Sequence, residues 1–396
     1  MKVAALKDVC RITNGGTPKS GVDRFWHGGV AWLTPAEMGK RLTPYIGQTA
    51  RTISREGLAN SSAKLVPPSS VILSTRAPIG HLAINEAPMA FNQGCRGLTP
   101  DDKLDTKYLY YFLYFSREAL DGLGTGTTFK ELSSSNLANF QIPHPPLDEQ
   151  RRIVAVLDKA FAGIATATAN AQKNLTNARA LFDRYLDQAF GELDGGWGAR
   201  TIGDIAAIKG GKRVPKGYKL LNEPTPYPYI SVADFSDEGS VEIKKIRYIS
   251  GQIFNQIKRY IIRKEDLYVS IAGTVGKTGI VPPELDGASL TENACRLVFN
   301  KGVSNRFVYY FTLTSSFKNQ AIEQTRTAAQ PKLALSRLQQ ICLPIPPQDA
   351  QEKLIATFDD LAGMVRQMEA IYQRKLTALI ELKQSLLQKA FAGELT

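Results

Sequence analysis

Two stretches of the chain place apolar residues at alternating steps of four and three. In the first, Leu157, Phe161, Ile164, Thr168, Ala171, Leu175, Ala178, Phe182, Tyr185 and Ala189 keep this rhythm throughout. In the second, Phe358, Val365, Tyr372, Leu376, Leu379 and Leu386 keep most of it. Such spacing holds one stripe of a helix against a partner helix along its whole length. The pairs Pro145-Pro146 and Pro346-Pro347 precede the two stretches. They end whatever structure comes before, because proline lacks an amide hydrogen and clashes with a preceding turn. Asp148 and Asp349 then stand where an N-cap would accept the first free amides. A helix of about 44 residues would run roughly 66 Å at ~1.5 Å per residue. Two such helices in one chain most simply pair with each other as an antiparallel coiled coil, with one globule at each end and a pseudo-two-fold between them.

Outside these stretches the pattern is one of short β-like runs, such as Ser70 to Ser74 and Leu267 to Ile271, punctuated by turn residues. A helical stretch is expected near 106–120 and another near 304–319. The expected class is mixed α/β, α+β globules rich in loop. The chain also repeats itself at an offset of about 200 residues. Ile142-Pro143-His144-Pro145-Pro146-Leu147-Asp148-Glu149-Gln150 parallels Leu343-Pro344-Ile345-Pro346-Pro347-Gln348-Asp349-Ala350-Gln351. Ser74 to Gly80 parallels Ser270 to Gly276, Cys95-Arg96 parallels Cys295-Arg296, and Tyr110-Tyr111-Phe112 parallels Tyr309-Tyr310-Phe311. Ala189-Phe190-Gly191-Glu192-Leu193 and Ala390-Phe391-Ala392-Gly393-Glu394-Leu395 end the two helices alike. The order is collinear, so the expected layout is a duplicated one: globule 1–147, helix 148–197, globule 198–346, helix 347–396.

Composition narrows the function classes. With 396 residues, 43% of them hydrophobic and 22% charged, the chain suits two or three packed domains. No uninterrupted apolar run approaches the roughly 18–20 residues that span a bilayer, so no membrane association is expected. Met1 to Asp8 contains no leader-like apolar core. Four dispersed cysteines and three histidines make a metal cluster improbable and fit a reduced, cytoplasmic protein. The net charge is +12, and its distribution is informative. Residues 1–147 carry +5 and 198–345 carry +9, while each helical stretch carries −1. Cationic heads on a neutral spacer suit a polyanion that meets the heads.

A search for catalytic motifs finds none. Pro-Pro occurs only in V-P-P-S, H-P-P-L, V-P-P-E and I-P-P-Q contexts, none of them a methyltransferase motif. Gly273-Thr274-Val275-Gly276-Lys277-Thr278 imitates a phosphate loop, but the required first glycine is Ile271 and no helix follows. Its counterpart Ala77-Pro78-Ile79-Gly80 lacks the lysine, so both are expected to be tight turns between strands.

The run Gly124-Thr125-Gly126-Thr127-Thr128-Phe129-Lys130-Glu131-Leu132, then Phe140-Gln141-Ile142-Pro143 and Pro145-Pro146-Leu147-Asp148-Glu149-Gln150, closely resembles the end of a target recognition domain in type I restriction–modification specificity subunits. The start, Cys10-Arg11-Ile12-Thr13-Asn14-Gly15-Gly16-Thr17-Pro18, is similar to that family too. The second half departs from the pattern, with Gln324-Thr325-Arg326-Thr327-Ala328-Ala329 in place of the Gly-Thr-Gly-Thr run. The resemblance implies a non-catalytic DNA-binding subunit. Each globule would read one half of a bipartite site on double-stranded DNA, and the helices would set the spacer. Two methyltransferase subunits would dock on the helices, and motor-nuclease subunits would join for cleavage. S-adenosylmethionine, ATP and Mg would belong to those partners, with no cofactor on this chain. A methylation-only system and a coiled-coil adaptor for proteins are the alternatives.

Two heads that read different sequences should share scaffold and phosphate contacts and differ at base contacts. The shared Arg96 and Arg296 are expected to tie a strand or touch phosphate. Base edges are read by polar side chains on loops and helix ends. The candidates in head one are Lys19, Arg24, Trp26, His27, Arg76, His81, Asn92, Gln93 and, from the motif, Lys130. In head two they are Lys212, Arg213, Lys216, Lys219, Lys244, Lys245, Arg247 and Asn293, with Lys209 and Lys277 as candidates for phosphate contact. The run Lys209 to Lys216 packs four cations around two glycines that would let phosphate approach the backbone.

Overall fold

The computed structural model describes residues 2–41, 43–76, 78–126, 130–194, 196–323 and 332–395. Of the motifs above, Ala77, Thr127-Thr128-Phe129 and Gln324 to Pro331 lie outside the described residues. The chain forms two compact units, Met1–Ala171 with Arg374–Thr396 and Gln172–Gln373.

In the first unit, β1 (Val3–Ala5) is followed by β2 (Cys10–Asn14), β3 (Trp26–Leu33), β4 (Tyr45–Ile46) and β5 (Thr52–Ile53). Then come β6 (Val71–Ser74), β7 (Leu82–Asn85), β8 (Ala90–Phe91), β9 (Cys95–Pro100) and β10 (Gln141–Pro143). A five-stranded sheet runs β2-β9-β6-β7-β4, and a smaller one runs β5-β3-β8. β6 reads as an unbroken apolar run because both of its faces are covered. Val71 and Leu73 pack with the helix Thr106–Phe115, while Ile72 packs with Phe91, Met89 and Val66 on the other side. The aromatic run of that helix is core: Tyr108 and Leu109 are fully buried. β1 pairs with β10, and β10 ends at Pro143 just before the proline pair.

The second unit repeats the plan. β11 (Ala199–Thr201), β12 (Ala206–Gly210), β13 (Pro228–Ile230), β14 (Arg247–Tyr248) and β15 (Leu267–Ser270) lead to β16 (Thr278–Ile280), β17 (Ser289–Leu290), β18 (Ala294–Phe299) and β19 (Cys342–Pro344). The sheets run β12-β18-β15-β16 and β14-β13-β17, and β11 pairs with β19. Leu267 and Val269 of β15 face the helix Asn305–Leu313, and Tyr268 faces the other core. The phosphate-loop imitation is the β15–β16 turn. Gly276, at φ +89°, donates its amide to Ser270, as Gly80, at φ +98°, donates to Ser74 in the β6–β7 turn.

The long helices are Leu147–Asp194 and Gln348–Ala392. They begin before Asp148 and Asp349, so those residues lie within the first turn and favour the helix dipole instead of capping it. The heads are fastened by another residue. Gln150 and Gln351 are fully buried. The Gln150 Oε1 accepts from the Asp105 amide at 2.8 Å, and its Nε2 donates to the carbonyls of Lys103 and Pro145. Gln351 does the same with the Ser304 amide and the carbonyls of Gly302 and Pro346. Two turns on, Asp158 accepts from Tyr111 and Lys107, and Asp359 from Tyr310 and Arg306. Burial first, then the Asp158 bond, hold the Tyr111 hydroxyl far above its usual range, so it remains a donor.

Within each unit the helices pair antiparallel. In the second, Phe190 stacks on Phe358 and Arg179 meets Glu369, so numbers rise on one helix as they fall on the other. In the first, Leu387, Ala390 and Phe391 share a core with Ile153 and Leu157. The shared Ala-Phe ends are the anchors. Phe391 meets Tyr108 at 5.4 Å and Phe112 at 5.3 Å, and Phe190 meets Phe307 at 5.1 Å and Phe311 at 5.5 Å.

The seam departs from the predicted positions at Thr168, which is exposed while Ala167 faces inward instead. This leaves the threonine hydroxyl in water. Tyr185 is partly exposed but packs edge-on against Phe358 of the other helix at 6.2 Å, with fully buried Leu186 beside it. Leu157, Phe358 and Val365 are buried; Phe161, Ile164, Leu175, Phe182, Tyr372, Leu376, Leu379 and Leu386 are partly so. Part of the first helix is also long and apolar enough, by length and composition, to cross a membrane, which a search for uninterrupted runs overlooks. Ile153, Val154 and Leu157 of that helix lie in the first unit's core.

Each glutamine latch satisfies one buried amide and two carbonyls. Gln150→Ala and Gln351→Ala should each lower unfolding free energy by about 3 kcal/mol, since orphaned buried groups cost roughly 1–3 kcal/mol apiece; urea denaturation checks this. Burial pushes the thiols of Cys10, Cys95 and Cys295 up to about 12, while Cys342 is exposed. One thiol of the four should therefore react quickly with Ellman's reagent in the native protein, and all four after unfolding.

Candidate nucleic-acid interface

The heads present the same corner, formed where the loop after the first strand of the main sheet meets the turn before β9 or β18. Glycine is required there. A Cβ on Gly15 would lie 2.0 Å from the Asn92 carbonyl oxygen, and one on Gly211 would lie 2.0 Å from that of Thr291. Gly211 thus serves packing within the head, not the approach of a phosphate that its sequence context suggested.

In head one the corner carries amides and hydroxyls. Asn92 donates to the Thr17 hydroxyl at 3.1 Å, and Thr17 hydrogen-bonds Gln93. Arg96 donates to the carbonyls of Gln93 and Cys95 and to Ser134, and its side chain is only 12% exposed. Arg76 and Arg96 both approach Glu131, at 3.7 and 4.0 Å. Asn92, Gln93, Arg76 and Arg96 are therefore brought together. Lys130 sits on the same loop as Glu131 but pairs with Asp121.

A second group lies on the β2–β3 loop. Trp26 is buried, donates to the Lys19 carbonyl and packs edge-on against Trp32 at 5.1 Å. It supports the loop and offers no free ring face, contrary to its place among the candidates. Arg51, which sequence reasoning missed, caps both rings at 4.1 and 5.0 Å; only the pairing of β3 with β5 brings it there. Arg24 pairs with Glu56. His27 is exposed and adopts φ +58°, a left-handed conformation at the irregularity between Trp26 and Val30. Such a conformation costs a non-glycine residue about 1–2 kcal/mol. His81 is elsewhere, lining a cavity with Arg117.

In head two the equivalent corner carries charge. Arg213 pairs with Glu292, the neighbour of Asn293. Burial opposes ionisation of Glu292, but its bonds from Arg213 and Thr291 outweigh burial and hold its carboxyl below the usual range. Lys212 lies 5.8 Å over the Tyr260 ring. Lys209, Lys212, Lys216, Lys219, Lys244 and Arg247 are exposed and carry no ion pair among the described residues. Lys245 pairs with Glu242, and Lys277 with Asp237 at 2.6 Å. Arg296 is bound to Asp266 with 12% and 5% exposure. Breaking a pair that buried costs about 3–5 kcal/mol, so Arg296 ties β18 to the head and is not available to DNA. The structurally equivalent positions Asn92-Gln93 and Thr291-Glu292 thus stand on one scaffold with different chemistry, and Asn293 takes the place of Gly94.

Comparison with known proteins agrees with this duplication. The model of the type I restriction modification DNA specificity domain matches residues 1–177 and again 194–374. The MjaIX specificity subunit of Methanocaldococcus jannaschii is 23% identical over 99% of this chain and 93% of its own length. The EcoBI specificity subunit of Escherichia coli is 25% identical over 99% and 85%. Among solved structures, a chain from work on complex assembly and conformational transition of the type I R-M system superposes with TM-score 0.81 at 18% identity, covering 99% of this chain and 98% of that one. The HsdS subunit from Thermoanaerobacter tengcongensis gives 0.60 at 17% identity, covering 99% and 97%. Two copies of that domain span nearly the whole chain, and it belongs to the type I restriction–modification DNA specificity family.

Proposed function

We propose that the chain is the sequence-specific DNA-binding subunit of a type I restriction–modification complex. Each head reads one half of a bipartite site, and the helices between the heads set the spacer. The observation that carries this is the shared corner: one backbone scaffold, two sets of side chains at equivalent positions. Lys209, Lys212, Lys216 and Lys219 supply phosphate contacts in head two. Asn92, Gln93 and His27 supply base contacts in head one, and Asn293 with the exchangeable Arg213–Glu292 pair does so in head two. The chain contributes recognition and no chemistry; methyltransferase subunits supply methyl transfer with S-adenosylmethionine, and motor-nuclease subunits use ATP and Mg. An exposed apolar stripe on the second helix, Met364, Met368 and Ile371, spaced by four and three, supports docking of the methyltransferase partners.

Duplex binding with methyltransferase partners present should weaken linearly as salt rises on a log–log plot. Replacing Lys212, Lys216 and Lys219 together by glutamine should flatten that slope by up to about 3, since each phosphate contact contributes ~0.9. A gel shift showing no duplex binding even with partners would favour a protein adaptor, and methyl transfer by the chain alone would overturn the assignment.

His27→Gly separates strain from recognition. Relief of the left-handed backbone should leave stability unchanged or raise it by about 1 kcal/mol. Discrimination at the half-site of head one should fall about tenfold, with the other half-site unaffected. Unchanged discrimination would remove His27 from the interface.

A further inference from the structure

The first unit contains a cavity that the recognition scheme above leaves without a role. It has a volume of about 470 Å³, within the range of small-ligand pockets. Its walls come from Met38, Gly39, Arg41, Thr43 and Pro44, the start of β7, the Thr106–Phe115 helix with Arg117 just beyond it, and both long helices. Its charged lining is cationic throughout: Arg41, Arg117 and Lys383, with His81 beside them and no Asp or Glu. None of these three cations forms an ion pair among the described residues.

Two of the cations are held by aromatic rings instead. Arg117 lies 4.2 Å from the centroid of Tyr114, and Lys383 lies 4.6 Å from the same ring and 4.9 Å from Phe161. Two like charges on one ring repel each other, and a ring quadrupole compensates them only in part. The Nε atoms of Arg41 and Arg117 are buried without a hydrogen-bond acceptor among the described residues. Guanidinium groups match phosphate oxygens in both geometry and charge.

The second unit supplies a control. Its cavity lies against the duplicated tyrosines Tyr309 and Tyr310, the counterparts of Tyr110 and Tyr111 here. There the arginines and lysines are accompanied by Asp183, Asp237, Glu238, Asp359 and Glu369. That cavity is neutralised from within, whereas the one in the first unit is not.

We propose that the cavity of the first unit binds a small phosphate-bearing anion, held by Arg117, Lys383 and Arg41. Three cations suit a ligand with two or three negative charges. Both long helices close the site on one side, which suits a compact ligand better than a continuous DNA backbone. Burial first, then Arg117, lower the affinity of His81 for a proton. Its other charged or titratable neighbours in the cavity are Arg41, Lys383, Tyr110, Tyr111 and Tyr114. An anion seated among them reverses the effect of those cations, so His81 reports occupancy.

The test is titration of the full chain with pyrophosphate in a phosphate-free buffer, followed by calorimetry and by the His81 ring resonances. The expected result is saturable binding of one pyrophosphate, with the His81 titration midpoint moved upward relative to sodium chloride at equal ionic strength. Lys383→Met, which keeps the contact with both rings, and Arg117→Gln should each weaken binding at least tenfold and abolish the His81 shift. Should either variant misfold, the His81 response of the unaltered chain decides by itself. Absence of saturable binding, or binding indifferent to Lys383→Met in a folded variant, overturns the proposal. So does a loss of duplex affinity in the folded variants without loss of pyrophosphate binding, which would assign these cations to DNA.

Discussion

Each head is held by the docking of one aromatic helix face onto two long helices. Phe391 at the end of the second helix seats among Tyr108, Phe112 and Phe115. Phe190 at the end of the first seats among Phe307, Phe311 and Phe358. Rings at these separations contribute both buried area and favourable edge and offset geometry. The buried glutamine at each helix start then fixes direction, because its amide satisfies three backbone groups that have no other way to be paired. Apolar contact alone would allow the head to slide; the glutamine and the Asp158 and Asp359 clusters allow one register.

That division of labour explains where the two halves are alike. The latch, the ring anchor and the Ser-x-x-x-x-x-Gly turns recur because they position a head on its helices. The corner residues diverge because they face outward, where substitution leaves the core untouched. The sequence repeat aligns Arg96 with Arg296, but the strand registers set them one residue apart: Arg96 stands opposite Leu73, whereas Arg296 stands opposite Tyr268, the counterpart of Ile72. Arg96 holds Ser134 and backbone carbonyls, and Arg296 holds Asp266. Both remain largely buried, so each arginine serves the scaffold of its own head.

The distribution of charge follows the same logic. Net charge counted along the sequence places the excess in the heads, and structure sorts it. Arg24, Arg76, Arg213, Lys245, Lys277 and Arg296 are matched by carboxylates. The lysines from 209 to 219 are not, and these keep the long-range field that draws a polyanion. Arg117 and Lys383 form a separate unmatched group.

Much of this architecture was legible in the sequence because it rests on periodicity and repetition. The steps of four and three, the proline pairs and the collinear repeats determine two long helices and two related heads, since side-chain direction in a helix follows from spacing alone. Spacing misplaced the seam at Thr168, where the choice lies between adjacent residues. It could not show that Gln150 and Gln351 are latches, that Trp26 is a support, or that Arg51 covers two indoles. The glutamine latches depend on partners 45 to 49 residues away, and the roles of Trp26 and Arg51 depend on how β3 pairs with β5, which is decided only when the sheets close. The strain at His27 and the unmatched cations around Tyr114 are likewise properties of folded geometry: one is a backbone angle, the other a convergence of three segments that composition cannot place together.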